Sequence, residues 1–491
     1  VATQGARVRL SAAARAKMSR SRDLVQKVLN SQEVVYGINT GFGALCQVVI
    51  APDQIARLQR NLVVSHAAGV GRLLPSEVVR TMMLLRANVL AKGRSGVRPG
   101  VAEHLVAMLN EGVHPLVPEQ GSVGASGDLA PLAHMALAML GLGQVEWRGR
   151  QMSAAQALRR IGRSPLKLEA KEGLALTNGT QAMTALGSLT LVRAERLTRT
   201  ADICGALSLE ALLGTPAAFH RRLQQARPHR GQQVSARNLR RLVRGSQIVK
   251  SHQDCSKIQD MYSLRCMPQV HGAVRDALGH VRRILQVEIN SATDNPLVFA
   301  EAELIVSGGN FHGQPVSMAL DYAATALCTL AGISERRIAS LMDSSISQLP
   351  SFLTARGGLN SGFMMAQVTA ASLVSENKGL AYPASIDSIP TSANQEDHVS
   401  MGMTAARKVA QILENAEQVL AIELLCAAQG VDLRAPLRPG RGTVAAYRAV
   451  RRQIKPLDRD RFMAPDLKRA AALVREGDVL RAVERTVGKL L

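Results

Sequence analysis

The sequence predicts a mainly α protein: a bundle of long helices, joined to a smaller mixed N-terminal region that carries a Gly-rich loop and a short β-hairpin. Three observations carry that expectation. Apolar residues make up 46% of the 491-residue chain and aromatics only 3%, and Ala, Leu, Val and Arg dominate, a mixture that favours helix over sheet. After Asn178 the chain offers long, weakly charged, Ala- and Leu-rich segments at residues 179–213, 270–290, 312–347, 361–378 and 403–429. Their apolar residues lie nearly all round, so each needs neighbours on several sides, as in the middle of a bundle or an oligomer. The third observation is an interruption: residues 113–131 hold Pro115, Pro118 and Pro131 with Gly121, Gly124 and Gly127, which forbids a regular helix or a central strand there.

Taken in order, residues 52–66 read as a helix with Ile55, Leu58 and Leu62 on one face. Residues 76–92 repeat the pattern with Val78, Met82, Leu85 and Val89 until Lys92-Gly93 stops it. A third helix near 101–110 ends at Gly112, and helical spacing returns over 132–142. A hairpin follows at 145–152, with Arg148-Gly149 at its turn. The polar connections at 253–268, 291–311 and 386–400 are rich in Asn, Gln, Asp and Ser, and loops held by rigid helices are good places for chemistry. The length exceeds one compact core. Three consecutive blocks are expected: an N-terminal domain at 1–177 with the Gly-rich loop, a central helical bundle at 178–429, and a C-terminal helical segment at 430–491.

Charge and cysteine content narrow the function classes. The net charge of +22 attracts anions of every kind over long range and does not choose among them. Its densest part, from Arg221 to Lys250, has no acid and no interleaved aromatics that could stack on bases, so a solvated Arg-rich face is expected and a specific nucleic-acid site is not. Cys46, Cys204, Cys255, Cys266, Cys328 and Cys426 form no Cys-x-x-Cys spacing, the pattern of free thiols in a reducing cytosol and not of a metal or redox centre. Long apolar runs are broken by Asp, His, Pro or Gly before they reach membrane-spanning length, and no signal peptide opens the chain, so a cytoplasmic protein without a membrane partner is expected. The chain opens on Val1 instead of Met, and a short preceding native segment is expected.

The segment Gly121-Ser-Val-Gly-Ala-Ser-Gly-Asp-Leu-Ala-Pro-Leu-Ala-His134 carries the chemistry. By composition it is a Gly-rich turn entering a helix, or an anion nest. The order of residues says more. In Ala125-Ser126-Gly127 no side chain flanks the Gly127 amide nitrogen, so a tightly bent backbone can bring it onto the Ala125 carbonyl carbon. Loss of water, including the Ser126 hydroxyl, then leaves a conjugated imidazolone with an exposed methylidene, and only small residues allow that bend. The segment resembles the prosthetic-group loop of the histidine and aromatic amino acid ammonia-lyases. There Ala-Ser-Gly becomes the methylidene-imidazolone group, MIO. Further stretches are similar to motifs of that family, in the family's order: Tyr36-Gly-Ile-Asn-Thr-Gly-Phe-Gly43, Ser65-His66-Ala-Ala-Gly69, Leu176-Thr-Asn178-Gly-Thr-Gln181, Gln259-Asp-Met-Tyr262-Ser-Leu-Arg265-Cys, Gly309-Asn-Phe311-His312 and Ser392-Ala-Asn-Gln-Glu396-Asp-His. The resemblance covers essentially the whole chain from about residue 7.

The reaction of such a family explains why so many motifs are needed. Eliminating ammonia from an α-amino acid removes a weakly acidic β-proton and expels a poor leaving group, which calls for an electron sink, a base and a carboxylate anchor. The resemblance implies that MIO, cross-linked between Ala125 and Gly127 and modified at Ser126, is the electrophile that captures the amine. It implies Tyr36 as base, which a free phenol with a pKa of about 10 can be only if its surroundings activate it. It implies Arg265 as the planar fork that holds the substrate carboxylate. Asn178 and Gln259 supply neutral hydrogen bonds, Tyr262 orients MIO or substrate, and Phe311 packs near the prosthetic group. Asp128 either assists ring closure or is an acid at a helix N-terminus. A homotetramer whose active sites gather loops from three subunits is implied, with no metal and no external cofactor.

Substrate choice falls to Ser65-His66 and Glu396. The pair matches the histidine-specific form of a selectivity position, and Glu in Asn-Gln-Glu-Asp-His is the histidine form of a polar loop that is neutral in plant-type phenylalanine lyases. A carboxylate accepts an imidazole N–H, and a polar site rejects an apolar ring by leaving its own partners unpaired. The expected activity is a carbon–nitrogen lyase that converts L-histidine to urocanate and ammonia, the first step of histidine degradation. Two alternatives remain at this point: a tyrosine or phenylalanine lyase or aminomutase, and a non-catalytic basic nucleic-acid-binding protein. Met261 and Met267 depart from the family pattern and bear on fine substrate preference.

Overall fold

A computed structural model describes residues 1–31, 33–254 and 257–491. Among the described residues there are twenty α-helices and seven short strands, the mainly helical architecture expected. The long apolar segments form the helices Gln181–Ala211, Met267–Glu288, Gln314–Met342, Met364–Leu380 and Gly402–Asp432. Gln144–Trp147 pairs antiparallel with Arg150–Ser153, and Arg148 and Gly149 between them take φ of 51° and 73°, the left-handed pair that suits a two-residue hairpin turn. Val113–Pro115 pairs with the outer side of Gln144–Trp147, and Pro118–Gln120 pairs with Val70–Leu73. The Pro-rich stretch thus contributes strands only at sheet edges, where a missing N–H is tolerated.

The chain packs into two compact units, each discontinuous in sequence: Val1–Leu189 with Arg282–Asp321 and Pro383–Arg407, and Thr190–Val281 with Tyr322–Tyr382 and Lys408–Leu491. These units cut across the three consecutive blocks, because the helices Gln181–Ala211, Gln314–Met342 and Gly402–Asp432 each hold residues of both. In the first unit Ser11 caps the opening helix Ala12–Asn30, its Oγ accepting the Ala14 amide at 3.1 Å. The helix Ile55–His66 buries Ile55 and Leu62 as spaced, and also Gln59, whose Oε1 accepts the Leu174 amide at 3.1 Å. The helix Ser76–Ala91 buries Val78, Met82 and Val89 as spaced, together with Val79, Met83 and Leu90, but between Met82 and Val89 the stripe runs through Arg86 and Ala87 in place of the expected Leu85. Arg86 can be buried because its guanidinium donates to the carbonyls of Asn178 at 2.5 Å and Thr293 at 3.5 Å.

In the second unit the long helices are apolar on most faces, as their sequences required, and enclose two ion clusters. Arg337 holds both oxygens of Glu423 at 2.5 and 2.8 Å, and the hydroxyls of Ser208 and Ser334 donate to the same carboxylate. Asp202 accepts from Ser235, Asn238, His271 and Arg275. Burial alone would raise this carboxyl, but Arg275, His271 and Ser235 hold it at about 2. The Arg-rich stretch is largely solvated, as expected, with Arg221, Arg222, Arg227, Arg230, Arg244 and Lys250 exposed. Arg237 on the helix Arg230–Leu242 is exposed, whereas Arg240 donates to the Phe219 carbonyl and Arg241 to that of Lys489.

Two further expectations meet the structure here. The helix Gln314–Met342 is long and apolar enough to cross a membrane by length and composition, against the expectation that every apolar run stops short. Most of that stretch is buried in the chain, and Asp321 within it accepts the Ser385 amide at 2.7 Å. Cys46, Cys204, Cys266, Cys328 and Cys426 are free thiols, and Cys255 lies outside the described residues.

Candidate active site

The Gly-rich loop is an irregular turn before the helix Ala130–Met139, with φ of 49° at Ser126, 80° at Gly127 and 49° at Leu129. It is pinned from both sides. Asp128 N–H donates to Gly179 O at 2.7 Å, Gly179 N–H donates to Ser126 O at 3.2 Å, and Met401 N–H donates to Val123 O at 2.9 Å. A Cβ on Gly127 would lie 2.2 Å from the Gly179 oxygen and 2.4 Å from its carbonyl carbon. Only glycine fits at this left-handed position. Gly127→Ala is therefore expected to lose about 1–3 kcal/mol of stability from backbone strain alone, a lowered Tm in thermal unfolding being the check. The Gly127 amide and the Ala125 carbonyl take no hydrogen bond among the described residues.

Asp128 serves a helix N-terminus, though not that of its own helix. Its two carboxylate oxygens accept the Ala182 and Met183 amides at 2.5 and 3.2 Å, where the helix Gln181–Ala211 begins. Burial pushes its carboxyl up to about 7, against those two amides and nearby Arg86.

Beside this turn opens a cavity of about 470 Å³ whose lining includes Tyr36, Ser126, Asn178, Phe311, Glu396 and Leu174. A second lobe of about 690 Å³ shares Tyr36, Ser126 and Glu396 and extends to Ser65 and His66. Motifs from five parts of the chain thus meet around Ser126, all within the first unit. Ser126 Oγ donates to Glu396 Oε1 at 3.1 Å, while Thr391 Oγ1 donates to Oε2 at 2.9 Å. The loop before Glu396 is a tight return with φ of 53°, 52° and 67° at Ser392, Ala393 and Asn394, closed by paired backbone hydrogen bonds between Thr391 and Glu396. That closure fixes where the carboxylate points.

Tyr36 sits half-buried in the turn that its glycines permit. Burial raises its phenol, Cys46, Glu396 and Asp294 raise it further, and only the Gly43 backbone acts in the other direction. His66 ends the helix Ile55–His66, with Nδ1 3.1 Å from Ser65 Oγ. Burial lowers its pKa, opposed by the Leu62 backbone and by Glu396, so a neutral imidazole is favoured with Glu396 close enough to act on it. Asn178, fully buried at the end of the helix Glu172–Thr177, turns its amide toward Asp294 and Asn295.

Gln259, Tyr262 and Arg265 are not among the lining residues and belong to the second unit. Gln259 is exposed and Tyr262 is 71% exposed. The Arg265 guanidinium stacks on the Tyr262 ring at 4.5 Å. Arg265 has no ion-pair partner among the described residues, so it is not the structural ion-pair arginine that a polar loop would usually hold.

Residues not singled out from the sequence surround Asn178. Arg86 donates to its carbonyl and Asp294 accepts from its amide, while Asp294 itself receives Lys171 Nζ at 2.9 Å, both side chains of that pair being fully enclosed. Arg86 left a readable trace, since it falls four residues after Met82 on the stripe of a helix that also buries Val78 and Val89. Asp294 lay within a polar stretch already noted, but nothing in the chain order pairs it with Lys171.

The helical scaffold folds an Ala-Ser-Gly turn against a cavity lined by Tyr36, Asn178 and Glu396, and the aromatic amino acid lyase profile matches residues 1–452. The chain belongs to the aromatic amino acid lyase family. It is 54% identical over 490 residues to the histidine ammonia-lyase of Symbiobacterium thermophilum, covering all of this chain and 96% of that protein. It is 56% identical over 483 residues to the histidine ammonia-lyase of Stigmatella aurantiaca, covering 98% and 95%. Among solved structures, histidine ammonia-lyase from Trypanosoma cruzi superposes with a TM-score of 0.91 at 45% identity, covering 99% of this chain and 92% of that one. Tyrosine aminomutase from Streptomyces globisporus superposes with a TM-score of 0.93 at 41% identity, covering 99% and 95%.

Proposed function

We propose that this chain deaminates L-histidine non-oxidatively to urocanate and ammonia, as a carbon–nitrogen lyase of histidine degradation. The observation that carries the proposal is the meeting of Ser126, Tyr36, Asn178 and Glu396 around one cavity that extends to His66. Curated relatives at 54% and 56% identity bear the name histidine ammonia-lyase, which supports the choice of substrate over the tyrosine-acting neighbour at 41%.

The residues present fit a methylidene-imidazolone formed by Ala125, Ser126 and Gly127. Gly127 stands where no Cβ can be placed, and the amide and carbonyl that must join carry no other hydrogen bond among the described residues. Such a group supplies an electron-poor carbon that draws electrons from the substrate amine and makes it a better leaving group. The chain's own residues do the rest. Tyr36 takes the β-proton, Phe311 packs at the site, and Asn178 offers its amide to the polar atoms of the substrate. Glu396 and His66, with Ser65 behind it, receive the imidazole.

Gln259, Tyr262 and Arg265 complete the site from another copy in a homotetramer. Three features support that assembly: Ile258 is 96% exposed beside an exposed Tyr262, Arg265 has no carboxylate partner among the described residues, and burial with Cys46, Glu396 and Asp294 raises the Tyr36 phenol, so a cation must be brought to it before it can act as a base. The Arg265 fork then anchors the substrate carboxylate and turns the β-carbon toward Tyr36.

The test is a product assay on L-histidine, L-tyrosine and L-phenylalanine with the purified chain. Urocanate from histidine alone is expected, and cinnamate or coumarate as the main product would overturn the substrate assignment. His66→Leu is expected to lower kcat/KM for L-histidine by about 10²-fold and to narrow the preference over L-phenylalanine, because the ring then loses a polar partner. Steady-state kinetics on both substrates checks it.

A further inference from the structure

The amide of Asn178 has one permitted orientation, and side chains behind it impose that orientation. Its Nδ2 faces the Asp294 carboxylate at 3.2 Å and the Asn295 carbonyl at 3.3 Å. Both neighbours accept hydrogen bonds, so a half-turn of the amide would set Oδ1 against two oxygens, and nitrogen must occupy that side. Oδ1 is consequently the atom left over, buried and without a hydrogen-bond partner among the described residues, on a residue that lines the cavity with Tyr36 and Ser126. Buried acceptors are rarely left so in finished structures, because an unmet one loses its hydration with no return. An N–H of a bound ligand is the natural partner.

Asp294 cannot turn away from this task. It is 1% exposed, its Oδ2 receives Nζ of the fully buried Lys171 at 2.9 Å, and its Oδ1 also accepts the Asn295 amide at 2.7 Å. Asn178 is anchored on its backbone as well, where Arg86 donates to its carbonyl at 2.5 Å. We propose that Asp294, held by Lys171, is a positioning residue that fixes the Asn178 amide with its oxygen toward the amine of the bound amino acid, an assignment that rests on the deamination proposed above. Asn178 Oδ1 accepts an amine N–H and so aligns the nitrogen that must leave. The amine is also what separates L-histidine from 3-(imidazol-4-yl)propanoate, which keeps the ring and the carboxylate.

The experiment measures kcat/KM for L-histidine and the competitive Ki of 3-(imidazol-4-yl)propanoate on the assembled enzyme and on Asp294→Asn, which removes the carboxylate acceptor and leaves the longer contact to the Asn295 carbonyl to hold Nδ2. The expected result is a fall in kcat/KM of about 10- to 100-fold with Ki unchanged within about twofold, since only the amine loses a fixed partner. In an Asn178→Ala background the same substitution is expected to cost less than about threefold, because Asp294 acts through that amide. If Asp294→Asn alone fails to fold, Lys171→Met with Asp294→Asn removes both buried charges together, and the same pattern is expected. A Ki that rises in step with the loss of kcat/KM, additive losses with Asn178→Ala, or no change in kcat/KM would each overturn the role of Asp294. A wild-type enzyme that yields no urocanate overturns the deamination proposal itself.

Discussion

Ser126→Ala is expected to reduce urocanate formation from L-histidine by at least about 10³-fold in kcat, the scale on which removal of a central catalytic group acts. The Ser126 hydroxyl is the group whose loss creates the methylidene, and Ala has none to lose. The backbone is not the cause of the loss. Ser126 sits at φ 49°, and Ser and Ala both carry a Cβ, so the strain of the left-handed position is nearly the same for each. The Ser126–Glu396 hydrogen bond at 3.1 Å is half-exposed, and Thr391 still holds the other carboxylate oxygen. Tm is therefore expected to move by no more than a few degrees while activity disappears. Kinetics beside a thermal melt separates the two, and urocanate formation at the wild-type rate by Ser126→Ala would refute the electrophile.

Tyr36→Phe is expected to lower kcat by about 10²- to 10⁴-fold, the usual yield of a positioned general base, with the fold and the Ser126 turn retained. The pH dependence carries more information. A phenol acts as a base only when ionised, and burial together with Cys46, Glu396 and Asp294 pushes Tyr36 upward, so in the single chain its ionised fraction at neutral pH is small. A nearby cation lowers it, and Arg265 of a second copy is the proposed source. kcat/KM should then rise with pH as Tyr36 loses its proton. Arg265→Gln should shift that rise to higher pH in addition to weakening carboxylate binding. A rise at unchanged pH in Arg265→Gln would remove Arg265 as the activator and leave it only as the anchor.

The helical architecture was legible because apolar residues nearly encircle segments such as 403–429, and no sheet buries such a pattern. The hairpin at Arg148-Gly149 was legible from Gly149, which takes positive φ without steric cost, although Arg148 beside it adopts φ 51° as well. The reacting tripeptide was legible for a different reason: its chemistry joins neighbours in the chain, so Ala125, Ser126 and Gly127 had to appear consecutively. His66 and Glu396 were legible only through their motifs, since either alone reads as a core histidine or a loop acid. What the sequence concealed is the support behind these groups. Lys171 and Asp294 are 123 positions apart, and each alone looks like a surface charge until the fold encloses both. The same holds for Thr391, which fixes the Glu396 carboxylate from within a strained return. The stripe through Val78, Met82 and Val89 was right, yet its fourth member proved to be a guanidinium, because two carbonyls inside the unit needed a donor.

The central claim is a backbone condensation, and mass spectrometry of the peptide spanning residues 121–134 tests it most directly. From active enzyme this peptide is predicted to be lighter than its sequence by two water molecules, one lost in ring closure and one from Ser126. The Ser126→Ala peptide should not lose the second. Recovery of residues 121–134 at full, unmodified mass from enzyme with undiminished urocanate production would contradict the account.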